Sequence, residues 1–201
     1  MQDFLLDLLR RDEVILIRGN HEDLFERLLT DDCGVAVQPH MSNGTYDTAL
    51  QLTGAPMPKA LTRPLSFAAA AKETPFYQTI LPACRDYFET EHYIFVHGWI
   101  PCFREPDGAF RPRPDWRNAA PPAWKEARWY NGMEAARTVT EPGKTILCGH
   151  WHTSYGHARY EGRGTEFGTD ADFSPYAAPG ILALDACTAF SRQVNCIVLE
   201  E

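Results

Sequence analysis

Three hydrophobic runs in this chain end in side chains that can bind a metal ion or move a proton. Residues 14–17 lead into Arg18-Gly19-Asn20-His21-Glu22. Residues 93–96 lead into His97-Gly98. Residues 145–148 lead into Gly149-His150-Trp151-His152. Asn20 offers a neutral amide oxygen, and His97 and His150 offer imidazole nitrogens. That donor mix suits zinc, manganese or iron and not calcium, which takes oxygen ligands. Taken singly, each residue has an ordinary explanation: a histidine after a strand is commonly structural, and Asn20 can cap a helix starting at Glu22. The glycines beside them let the backbone turn sharply and approach a site closely.

The runs themselves are short, β-branched or aromatic, and stop at small or polar residues, which is the pattern of buried strands. Three such strands ending on one edge of a sheet would deliver their terminal groups to one place. Helical periodicity is read at 22–29, 46–52, 65–72, 75–88 and 124–138. Pro75 is acceptable as the start of its helix. Phe4, Leu5, Leu8 and Leu9 also fall on one helical face. Residues 99–123 hold six prolines, with Arg104, Arg111, Arg113 and Trp116 among them, and read as an irregular segment, either a binding loop or a surface excursion. Residues 156–179 read as loop. Two strands, 181–185 and 194–199, are expected to close the chain.

With 201 residues, the chain is expected to form a single domain, 1–201, with a substantial core. Its 44% hydrophobic and 12% aromatic content is that of a globular protein. A net charge of −8 argues against a nucleic-acid surface, which carries a basic excess. It leaves room for a phosphorylated partner, because a metal ion can supply local positive charge. No apolar stretch has the length of a membrane span, and no signal peptide is read at the start. The six cysteines lack paired spacing. Cys148, Cys187 and Cys196 read as buried free thiols. A cytoplasmic location is the expectation; oligomeric state is not legible.

The ordered set G-N-H-E, V-H-G and G-H-x-H, each behind a strand, resembles the last three motifs of the calcineurin-like metallophosphoesterases. The likeness is to their serine/threonine protein phosphatase-like branch of bacterial and phage type, and it runs over nearly the whole chain. It implies an α/β fold, a metallophosphatase-type β-sandwich flanked by helices. It implies that Asn20, His97 and His150 bind one metal and His152 the other of a manganese, iron or zinc pair. It gives His21 the catalytic role of aiding the departing alkoxide, a task suited to an imidazole. The implied reaction is hydrolysis of a phosphomonoester or phosphoprotein by metal-bound hydroxide. Dinucleoside polyphosphate hydrolysis is the nearest enzymatic alternative. Trp129-Tyr130-Asn131 resembles a phosphate-holding Trp-x-Arg element, with Arg128 as a weak substitute for its arginine. Asp185 matches a strand position that supports the site without ligating metal.

The family's opening motifs, D-x-H and G-D-x-x-D-R, do not occur upstream of Gly19. The chain is therefore expected to be N-terminally incomplete, lacking the first β-α-β portion. It should bind at most one metal well and have little or no activity alone. A non-catalytic remnant or binding module of the same fold is the rival expectation. Asn20, His21, His97, His150 and His152 are expected at one end of the strands.

Overall fold

Apolar residues three and four apart make α2, Asn20–Leu29, an amphipathic helix: Phe25, Leu28 and Leu29 are all buried. Their partners lie on α4 (Thr45–Thr53) and α6 (Pro64–Lys72), where Tyr46, Ala49, Phe67, Ala68 and Ala71 complete one hydrophobic cluster. This is the first of two compact units in a computed structural model that describes residues 1–11 and 13–200. The unit runs from Met1 to Arg85. It also contains α1 (Gln2–Arg11), β1 (Leu16–Ile17), α3 (Gln38–Ser42) and α5 (Met57–Thr62). The apolar face read for α1 exists as a helix, but none of its residues is buried and Phe4 is exposed.

The helix expected over 75–88 ends early. A wide turn, Phe76–Ile80, runs into the short α7 (Leu81–Ala83), and the chain then extends as β2 (Cys84–Arg85). Pro82 lacks an amide N–H and breaks the continuing helix. The β2 segment pairs in parallel with β1, matching Leu16 to Cys84 and Ile17 to Arg85. The first motif strand therefore sits in a two-stranded sheet of its own.

The second unit, Asp86–Glu201, is built on a five-stranded sheet. Its strands are β3 (Phe88–Glu89), β4 (Tyr93–Phe95), β7 (Thr145–Cys148), β8 (Tyr176–Ala178) and β9 (Ile181–Ala183), in the order β3-β4-β7-β9-β8. The central trio β4, β7 and β9 is parallel, and the two outer strands are antiparallel. Central strands covered on both faces read as continuous apolar runs, and Ile94, Ile146 and Ile181 are nearly fully buried. Trp99, Ile100, Trp116, Trp124 and Met133 pack in the same core. The chain is thus a mixed α/β protein, as expected of its class.

The proline-rich segment is not a loose excursion. It forms an antiparallel hairpin, β5 (Cys102–Arg104) with β6 (Phe110–Pro112), and a turn at Trp116–Asn118 that buries Trp116. The predicted 124–138 helix is two helices, α8 (Pro121–Ala127) and α9 (Gly132–Ala135). Asn131 makes the break by accepting the Met133 and Glu134 amide protons as an N-cap. Residues 156–179, read as loop, continue from α10 (Thr153–Gly156) through a wide turn at His157–Glu161 before β8. The closing strand expected at 194–199 does not form. The chain instead makes α11, Thr188–Ser191, and then runs without regular structure, with Val194 and Val198 exposed. Cys196 is exposed with it, against the expectation of burial. The strand-forming composition of 194–199 does not by itself recruit a pairing partner.

Candidate functional site

The parallel register of β4 and β7 decides where two of the motif histidines go. Tyr93, Ile94 and Phe95 face Thr145, Ile146 and Leu147, so both chains leave the sheet at the same edge. The ladder continues past β4 through Val96, whose N–H donates to the Leu147 carbonyl at 2.9 Å. His97 follows on one strand and Gly149-His150 on the other. The Gly149 N–H then donates to the His97 carbonyl at 2.8 Å, tying the two exits together. The imidazole rings of His97 and His150 end 5.0 Å apart, centre to centre, with planes inclined at 54°. In parallel α/β sheets, the carboxyl ends of the strands are where ligands bind.

His150 has a φ of 64°, a left-handed conformation unusual for a residue with a side chain. The Trp151 N–H reaches back to the Gly149 carbonyl at 2.7 Å, which makes His150 the centre of a three-residue turn of the strained, positive-φ kind. Such a conformation costs about 1–2 kcal/mol for an L-residue. Strain of this type persists where surrounding structure fixes it, and it gathers at functional sites. Here the fixing bonds lie on both sides. The Leu184 N–H donates to the Cys148 carbonyl at 2.9 Å, and the Thr153 N–H donates to the Asp185 carbonyl at 2.8 Å. Asp185 also accepts the Cys187 N–H on its side chain at 2.7 Å. Its carbonyl and carboxylate thus brace the backbone at Thr153 and Cys187.

Gly98 shows why the residue after His97 must be small. A Cβ there would lie 2.4 Å from the Ala127 carbonyl oxygen and 2.9 Å from the Arg128 backbone. The Trp99 N–H donates to that same Ala127 carbonyl at 3.1 Å, and the Trp99 ring is core. The Arg128 side chain is buried, with its guanidinium on the Asp86 carboxylate. Trp129 beside it is half exposed, and its ring stands edge-on to His150 at 5.7 Å.

His152 opens α10 from its N-cap position and bonds through Nε2 to Glu166 Oε1 at 2.9 Å. Its ring stacks on Trp151 and lies 4.7 Å from the Phe167 ring. A carboxylate on the far nitrogen is the usual support of a ligating histidine. No sequence signal marked Glu166, which lies in a glycine-rich loop.

The first motif lies in the first unit. The cap of α2 is Gly19 and not Asn20, which is the first helical residue and is buried. Glu22 accepts the Gly19 N–H at 2.7 Å. Arg18 is gripped by Asp23 at 2.9 Å and by Glu26. Burial alone would lower the Arg18 pKa, but the hydrogen bonds and charges of these carboxylates outweigh it and leave it raised. His21 is exposed on the first turn of α2. His40 and His157, which carry no motif, are buried and structural: His40 pairs with Asp32 at 2.9 Å, and His157 with Glu161 at 2.7 Å.

Does the histidine pair suit a metal? With metal–nitrogen bonds of about 2.1 Å, two imidazoles on one ion hold their ring centres roughly 4.5–5.3 Å apart. The observed 5.0 Å falls in that range. Among the described residues, no group of three or more His, Cys, Asp and Glu side chains is arranged to hold a metal ion. The ring separation alone meets the spacing of two imidazoles on one ion. No protein-family model, no curated protein and no solved structure matches this chain.

Proposed function

We propose that this chain is a metal-dependent phosphoesterase of the calcineurin-like kind, on a metallophosphatase-type β-sandwich flanked by helices. The substrate is a phosphomonoester or phosphoprotein. The observation that supports it most is the His97–His150 pair, 5.0 Å apart at the carboxyl ends of adjacent parallel strands. The strained turn at His150 supports it further, because strained backbone gathers at functional sites.

In this reading, His97 and His150 hold one manganese, iron or zinc ion. A bound ion of this kind polarises phosphoryl oxygens and lowers the pKa of water. The chain's own residues contribute position and environment. The 2.8 Å bond from Gly149 to His97 keeps the two rings at fixed separation. Trp129 walls one side of His150. Glu166 orients the His152 ring. The roles of Asn20 as a further ligand and His21 as proton donor to the departing alkoxide rest on the motif pattern alone.

Metal uptake tests the reading. Manganese or zinc titrated into the protein by calorimetry should bind at about one ion per chain. Both His97→Ala and His150→Ala should weaken binding by tenfold or more. Uptake unchanged in both variants sinks the proposal. Uptake without hydrolysis of p-nitrophenyl phosphate or phosphopeptides would identify a binding module of this fold instead of an enzyme.

A further inference from the structure

We propose that a second site, an open pocket of about 530 Å³ lined by Glu134, Arg137, Tyr155, Arg159 and Tyr160, binds a phosphate monoester of an aromatic alcohol. It uses none of the motif histidines. Two guanidiniums face one cavity in a chain whose net charge is −8. Among the described residues, neither Arg137 nor Arg159 forms an ion pair. Arg137 lies over the Tyr160 ring at 4.8 Å, and a guanidinium stacked on an aromatic face can still offer its N–H groups in its own plane to an oxyanion. Guanidinium groups match phosphate oxygens with paired hydrogen bonds.

The pocket's acid is already engaged. Glu134 accepts the Tyr155 hydroxyl at 2.5 Å. Burial and that hydrogen bond push the Tyr155 pKa up, so the phenol keeps its proton at neutral pH. The pocket therefore presents a local excess of one positive charge together with two phenol rings, 5.9 Å apart and nearly perpendicular. An aromatic ring on the ligand would pack on those phenols while its phosphate meets the arginines. Inorganic phosphate would use only half of these contacts.

The test uses the full chain with EDTA present, which separates it from the metal reading. Phenyl phosphate and inorganic phosphate are titrated separately and followed by calorimetry. Phenyl phosphate should bind saturably and more tightly than inorganic phosphate. Arg137→Gln and Arg159→Gln should each weaken it by about tenfold or more, the scale of a lost charged hydrogen bond. Both arginines are exposed, so circular dichroism should show the variants folded. No saturable binding, or binding unaffected by both arginine substitutions, overturns the proposal. Equal affinity for the two ligands overturns its aromatic part.

Discussion

The Gly149 amide donates to the His97 carbonyl at 2.8 Å, so the two motif loops are bonded to each other before any ligand arrives. Pre-organisation of this kind lowers the ordering cost of binding. It also means that backbone changes near this bond should act on site and stability together.

Replacing His150 by glycine separates those two effects. Glycine adopts a φ of 64° without penalty, so folding stability should hold or rise by up to about 1 kcal/mol. Metal uptake should fall sharply. Urea unfolding alongside metal titration checks both. A clear loss of stability would show that the imidazole itself holds the fold.

Gly98→Ala should do the opposite. The new methyl group would sit 2.4 Å from a carbonyl oxygen fixed by the Trp99 amide. Overpacking of this sort costs about 1–3 kcal/mol. A denaturation midpoint equal to the parent's would show that the 127–128 backbone moves aside freely.

Asn131→Ala removes the N-cap of α9, which accepts the Met133 amide at 3.0 Å. A lost cap of this type costs about 1 kcal/mol. The same variant should weaken phenyl phosphate binding, because α9 carries Glu134 into the pocket and Arg137 follows its end. Unchanged binding with lower stability would detach the pocket from the helix.

Acid stability should depend on Glu89. Hydrogen bonds from Arg117, and then Lys144, outweigh burial and hold its carboxyl down at about 2. The folded pKa lies below the ordinary carboxylate value. The stabilisation is therefore complete above pH about 4.5 and is lost as pH falls toward 2. Glu89→Gln should flatten that part of the pH–stability curve. An identical acid limb in parent and variant would exclude Glu89 as its source.

How far the sequence reveals this architecture depends on where each signal resides. Helices α2, α4 and α6 were legible because their apolar residues recur at helical spacing and pack within one unit. The β4 and β7 strands were legible as buried apolar runs ending in glycine and histidine. The hairpin in the proline-rich stretch was not read, although Asp107-Gly108 between Phe103 and Phe110 is a turn signal. The 194–199 run has strand-forming residues but no strand, since β-propensity depends on the neighbours a segment meets and not on its composition alone. His97 and His150 were readable as chemistry, but the strained turn at His150 was not, because a histidine gives no sign of a positive φ. Arg137 and Arg159 carry no joint sequence signal, because their meeting depends on the turn after α10.

The chain's thiols differ widely in reactivity. Burial drives the Cys102 and Cys148 thiols up to about 12, whereas Cys196 is exposed. The thiolate is the reactive form. Brief alkylation should therefore label Cys196 at once and spare Cys102 and Cys148 until the second unit opens. Cys148 closes the strand that leads to His150, so its labelling rate is a covalent clock for opening of the site strand. Mass spectrometry can read that clock without any assay of activity.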